Sequence, residues 1–162
     1  MKSRPISLIL FIISLSVAAK AQPGPGKPAV EIALPSLNGD TLKLSSLKGK
    51  VVLLDFWASW CGPCRIANRR LVKLYAKYKP QGFEIFGVSV DNDPKAWKKA
   101  VQKDKITWLQ VNDAAMGEAS VAIQWNIGSI PTSYLINKEG KLVGMDLEGK
   151  DLEAAVKDLL SK

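Results

Sequence analysis

Two cysteines, Cys61 and Cys64, stand two residues apart in Trp60-Cys61-Gly62-Pro63-Cys64, and they are the only cysteines among 162 residues. This is the spacing of a redox-active dithiol, in which a thiolate opens a disulfide by attack on sulfur. A disulfide stabilises a fold mainly by closing a loop, and the gain grows with loop length. A bridge across two residues closes almost nothing, so the pair is suited to exchange rather than to stapling. The chain has no histidine. Two cysteines without histidine fall short of a four-ligand zinc site, and the residues call for neither a metal nor another cofactor.

The dithiol must be held by its neighbours. Ahead of it, Val51-Val52-Leu53-Leu54-Asp55-Phe56-Trp57 is an apolar run that reads as a buried strand interrupted by one carboxylate. From Cys64 onward the pattern turns helical: Leu71, Leu74, Tyr75 and Tyr78 form one apolar stripe, and Pro80-Gln81-Gly82 ends it. Cys61 therefore falls at a helix start, where free N–H groups and the dipole favour negative charge. Its pKa is expected below the free value, toward about 7. Cys64, inside the helix, is expected to be more buried. Cys61 becomes the attacking sulfur and Cys64 the resolving one.

Gly62 and Pro63 add no charge between the sulfurs. The reduced form gains no help from a neighbouring cation, so the pair is expected nearer the reducing end of the scale, about −270 mV, than the oxidase end. Trp60 is expected to line the surface beside Cys61. Trp57, Trp97, Trp108 and Trp125 read as core.

Elsewhere, Ala29–Leu34 and Asp40–Leu44 read as short strands around Asn38-Gly39-Asp40, followed by a turn through Lys50. Phe83–Val90 reads as a second buried strand. Asp91-Asn92-Asp93 caps a helix with Pro94 at its first position. Ile106–Val111 reads as a short strand, Glu118–Trp125 as a short helix, Ser133–Ile136 and Lys141–Met145 as a hairpin, and Leu152, Ala155, Val156 and Leu159 mark a last amphipathic helix. Crossover units followed by a closing hairpin imply an α/β fold, a mixed sheet with helices on both faces. There is no internal repeat and no second domain.

The first 21 residues read differently. Lys2 and Arg4 precede the apolar stretch Ile6–Ala19, and Ala19-Lys20-Ala21 has the small-x-small form of a cleavage site. This is the layout of a secretory signal peptide cut after Ala21, and the stretch is short for a spanning helix. Residues 22–28, Gln-Pro-Gly-Pro-Gly-Lys-Pro, read as a flexible leader, and 29–162 as the domain. The net charge of +8 falls to +5 once Lys2, Arg4 and Lys20 are removed. The remaining basic residues are scattered, which gives no nucleic-acid footprint.

Asp55-Phe56-Trp57-Ala58-Ser59-Trp60-Cys61-Gly62-Pro63-Cys64-Arg65 resembles the active-site segment of thioredoxins, and Ile130-Pro131-Thr132 resembles their cis-proline loop. Leu44–Leu54 and Gly87-Val88-Ser89-Val90-Asp91 resemble the exported TlpA/ResA branch of that superfamily. The resemblance covers Ala29 to the C-terminus. It implies a thioredoxin fold with an N-terminal strand extension and a helical insertion before the cis-proline. It implies a thiol–disulfide oxidoreductase in the periplasm or cell envelope, monomeric, acting on disulfide-bearing exported proteins, of the kind that includes cytochrome c maturation factors. A membrane-embedded electron donor is implied with it. Asp55 would accept the proton of Cys64 through water, and Ile130-Pro131 would offer backbone to a substrate peptide. Desolvation is expected to raise the Asp55 pKa.

Three departures stand out. Ala67 and Arg69 replace a glutamate and a helix-kinking proline, so the first helix is expected to be straighter. The lysine that faces the buried aspartate in thioredoxins matches Gly87 here, leaving Asp55 without a cation. An isomerase or oxidase on the same fold is the main alternative. A thiol peroxidase is another, although the Pro-x-x-x-Thr that such enzymes place before their cysteine is absent.

Overall fold

The computed structural model describes residues 23–115 and 117–162; the signal-peptide reading lies outside the described residues. The first two strands, β1 (Ala33–Pro35) and β2 (Thr41–Lys43), form an antiparallel pair of their own. A five-stranded sheet follows, built from β3 (Val51–Trp57), β4 (Phe83–Ser89), β5 (Leu109–Asn112), β6 (Thr132–Ile136) and β7 (Leu142–Met145). Its order is β5-β4-β3-β6-β7. β3, β4 and β5 run parallel, whereas β6 and β7 are antiparallel. The helices are α1 (Gly62–Tyr78), α2 (Pro94–Lys103), α3 (Val121–Gln124) and α4 (Gly149–Ser161).

Strand alternation sorts the core into two layers. Val51, Leu53 and Trp57 of β3 face α1, α2 and α4, meeting Leu71, Tyr75, Trp97, Leu152 and Val156. Val52, Leu54 and Phe56 face the other way, toward Ile32, Leu44, Leu47, Val121 and Trp125. α1 and α2 share a face because β3-α1-β4 and β4-α2-β5 are successive right-handed crossovers stepping in one direction. Both faces are covered as expected, but unequally: of the four α-helices among the described residues, three lie on one. The β1–β2 pair, a 3-10 turn at Leu44–Leu47 and α3 cover the other. α2 and β5 are the insertion that precedes the cis-proline.

Several boundaries differ from the sequence reading. The strand expected over 29–34 is ordered into β pairing only at Ala33–Pro35, because the backbone before it bonds elsewhere. The Ile32 and Ser45 N–H groups both donate to Glu31 Oε1, at 2.9 and 3.1 Å, and Leu44 N donates to the Ile32 carbonyl. The helix expected over 118–125 is a 3-10 turn at Gly117–Ala119 followed by the single turn of α3, which Ser120 caps. The leader is not free along its length. Gly26 N donates to Leu142 O at 2.7 Å, Leu142 N to Lys27 O at 3.0 Å and Ala29 N to Gly140 O at 2.9 Å. The open edge of β7 supplies the partners that the composition of the leader could not reveal. Helix α1 runs unbroken through Arg69, as the loss of the proline predicts. It ends at Tyr78 and runs into a 3-10 turn at Lys79–Gln81, which stops at Gly82, whose φ of 96° a side chain would oppose.

Gly87 is needed for a different reason. A Cβ there would fall inside the carboxamide of Gln110, which crosses over from β5. That carboxamide accepts a hydrogen bond from Trp57 Nε1 at 3.0 Å, and both side chains are buried. Gly87→Ala must push Gln110 off Trp57 and leave the indole N–H unpaired. We expect a loss of about 1–3 kcal/mol, read as a lower denaturant midpoint with an unchanged m-value.

Candidate active site

Cys61 is the N-cap of α1, with extended backbone at φ −82° and ψ 103°. Its Sγ accepts the N–H of Cys64 at 3.2 Å, so an N–H donor already points where thiolate charge would develop. Gly62 and Pro63 are the first two helical residues, and Pro63 is tolerated there because no helical acceptor waits for its missing N–H. Cys61 and Cys64 are joined as a disulfide with Cα atoms 5.3 Å apart. Cys64 is 1% exposed and Cys61 6%. Trp60, directly before them, is 69% exposed, and Ile66 one turn further on is also exposed. Across from the dithiol the Ile130–Pro131 peptide is cis, and the Ile130 carbonyl oxygen lies 3.8 Å from Cys61 Sγ.

The loop carrying Cys61 is fastened from the insertion side. Asp91, fully buried after β4, accepts Ser59 N at 2.8 Å and Ser59 Oγ at 2.6 Å, and also Ser89 Oγ at 2.7 Å. Arg65 follows Cys64 and binds the carboxylate of Asp104 through Nε and Nη2. Its Nη1 donates to the Ser59 carbonyl at 3.0 Å. Asp104 is the C-cap of α2 and is buried. Asp104 and Asp91 together hold the Arg65 charge more firmly than an isolated guanidinium would be held. Ser59 is thus tied through both its backbone and its hydroxyl.

Asp55 is buried in the middle of β3, on the face of Leu53 and Trp57. A cavity of about 300 Å³ runs beside it, between the first turns of α1 and the β7–α4 connection. Asp55, Pro63, Ala67, Arg70, Pro131, Ser133 and Asp146 line it. Desolvation pushes the Asp55 carboxyl up to about 7, and the negative charge of Asp146 adds to the rise. The site residues read from sequence therefore converge: Cys61, Gly62, Pro63 and Cys64 on the first turn of α1, Asp55 beneath, Ile130 and Pro131 opposite, and Trp60 on the open rim. Asp91, Asp104, Gln110 and Asp146 were not legible as site residues. Asp146 lies in an exposed loop, and only the strand register brings it to Asp55.

The match to known proteins is extensive. Residues 24–160 match the family described as Redoxin. A thiol-disulfide oxidoreductase ResA from Bacillus cereus is 35% identical over 118 residues, which are 73% of this chain but only 66% of that relative. The ResA of Bacillus subtilis is 31% identical over 144 residues, 89% of this chain and 78% of the relative. The crystal structure of the thioredoxin domain of a thiol-disulfide oxidoreductase from Bacteroides vulgatus superposes with a TM-score of 0.77 at 36% identity. It covers 85% of this chain and 98% of that one.

An acid whose pKa is raised on folding weakens the fold as it ionises. Between the ordinary aspartate value and about 7 the native state holds a proton that the unfolded state has released, so stability falls as pH rises through that window. Asp55→Asn mimics the protonated form. The oxidised variant should exceed the parent by about 4 kcal/mol at pH 8, and the difference should vanish below about pH 4. Urea denaturation across this range measures it.

Proposed function

The chain belongs to the Redoxin family, among its ResA-like thiol–disulfide oxidoreductases, and on that premise we propose that it is an exported reductant of protein disulfides. One observation carries the reading. The N-cap sulfur, Cys61, receives an N–H from the first turn of α1 and faces a backbone carbonyl at 3.8 Å, while the two residues between the sulfurs are neutral. The helix start favours the thiolate and the residues between the sulfurs add no charge to it, so the dithiol is not driven strongly toward its reduced form.

In the reduced protein the Cys61 thiolate attacks one sulfur of a substrate disulfide. A Cys61–substrate disulfide forms and the first substrate thiolate leaves. Cys64 gives its proton to Asp55 and attacks Cys61 Sγ; the Cys61–Cys64 bond forms and the second substrate thiolate leaves. Two electrons pass from the dithiol to the substrate. An Asp55 pKa near 7 suits it to accept that proton close to neutrality.

Trp60, Gly62, Pro63, Ile130 and Pro131 form the docking rim. The exposed indole of Trp60 and the exposed Ile66 offer apolar area beside the dithiol, and the Ile130 backbone is placed for strand-like pairing with a peptide. The protein works as a monomer after cleavage at Ala21. Its partners are disulfide-bearing exported proteins, such as those of cytochrome c maturation. The oxidised protein is reset by a membrane-embedded donor, since an oxidising compartment supplies no electrons of its own.

Cys64→Ala blocks resolution. Exposed to exported proteins carrying disulfides, this variant should accumulate mixed disulfides through Cys61 that dithiothreitol releases, whereas Cys61→Ala should accumulate none and should reduce no insulin. Equal insulin reduction by the parent and both variants would remove the enzymatic reading.

A further inference from the structure

Asp55 sits in a row of residues that crosses the whole sheet. Gly87 of β4 pairs with it on one side and Ser133 of β6 on the other. Gln110 extends the row beyond Gly87. Beyond Ser133 the row ends at Asp146, just past β7. Asp146 N donates to the Ser133 carbonyl at 2.9 Å, and Ser133 N donates to Asp146 Oδ1 at 2.8 Å. Two strand spacings of about 4.8 Å put Asp55 and Asp146 about 10 Å apart along this row. They line the same cavity, Asp55 at its buried end and Asp146 at its exposed end, with the half-buried Ser133 between them.

The reductase reading requires Asp55 to take a proton from Cys64 in each cycle and then to lose it. Asp55 is 5% exposed and has no hydrogen-bond partner among the described side chains through which that proton could leave directly. We propose that Asp146 is the relay acid through which Asp55 exchanges its proton with solvent during turnover, by way of the cavity they share. The inference rests on the reductase reading and adds the outward half of its proton path. The Asp55 carboxylate takes the proton of Cys64. The protonated Asp55 passes it along the cavity to the Asp146 carboxylate, which releases it to bulk water, and both acids return to their starting charge. Electrons move only among the sulfurs.

The other charged groups around this cavity do not offer the same route. Arg70 of α1 cannot lose its proton at these pH values, and Glu148 lies beyond Asp146 at the start of α4 and makes no bond to the row. β3 and β6 bring no further ionisable side chain to the lining. Asp146 also has a fixed geometry: its φ of 49° turns the chain so that Oδ1 meets Ser133 N. Its negative charge is the second cause of the raised Asp55 pKa, which places the two carboxyls in electrostatic contact.

Asp146→Asn tests this cleanly. Asparagine tolerates the left-handed backbone and keeps an oxygen for Ser133 N, but it carries neither charge nor transferable proton. Insulin reduction is followed over many turnovers, with dithiothreitol recycling the dithiol, in weakly buffered solution and with increasing imidazole. We expect the variant to be about tenfold slower or more, with imidazole restoring the rate in proportion to its concentration and leaving the parent unaffected. In parallel, the carboxyl carbon of Asp55 is titrated by NMR in the oxidised proteins, and its midpoint should move down from about 7 in Asp146→Asn. A variant as fast as the parent, a deficit that imidazole does not touch, or an unmoved Asp55 midpoint overturns the relay. A parent protein that leaves insulin oxidised counts instead against the reductase reading, and the Asp55 titration then decides the relay by itself.

Discussion

A carboxyl group lies in the middle of an all-buried strand with no cation on the strand beside it, and the site is organised around that constraint. Ionising such a group in an apolar layer is costly, so Asp55 holds a proton to about pH 7. The row in which it sits explains why no cation relieves it. The neighbouring position on β4 is Gly87, and the space a side chain would need there is filled by Gln110, itself bonded to Trp57. An amide replaces a charge, so Asp55 stays poised to take and give a proton rather than being locked in an ion pair. On its other side the cavity opens toward Asp146.

The dithiol above is positioned by different means. The central strand β3 delivers Ala58 and Ser59 to the end of the sheet, and the chain must then turn into α1 within a few residues. Asp91 and the Arg65–Asp104 pair hold that turn from the side of α2 and β5. The insertion is therefore more than added mass: Asp91, just ahead of α2, and Asp104, at its C-cap, grip the loop that presents Cys61. Because both carboxylates are buried, removing either would leave charge or backbone donors unmatched, a loss larger than a surface pair would cause.

The motif and the strand-to-helix geometry were legible in the sequence. The sole cysteines, the apolar strand before them and the stripe after them fix where Cys61, Cys64 and Asp55 fall, and Ile130-Pro131 follows from the resemblance. Gly87 was legible as a missing lysine, but its reason was not: the side chain that needs the space comes from β5, twenty-three residues on, and only register brings it there. Asp146 was hidden for the same reason, being an ordinary loop aspartate until Ser133 binds it on both sides. Boundaries failed where side chains competed with backbone pairing, as Glu31 does near β1, or where the leader found the open edge of β7.

In the proposed reductase, the helix start stabilises the Cys61 thiolate without the added charge that would make the pair an oxidant. The direct measurement is the reduction potential of the Cys61–Cys64 couple at pH 7, by equilibration with dithiothreitol or glutathione. A value near that of thioredoxin, about −270 mV, is expected of a reductant; one near the strong oxidases, about −120 mV, would make the pair an oxidant instead.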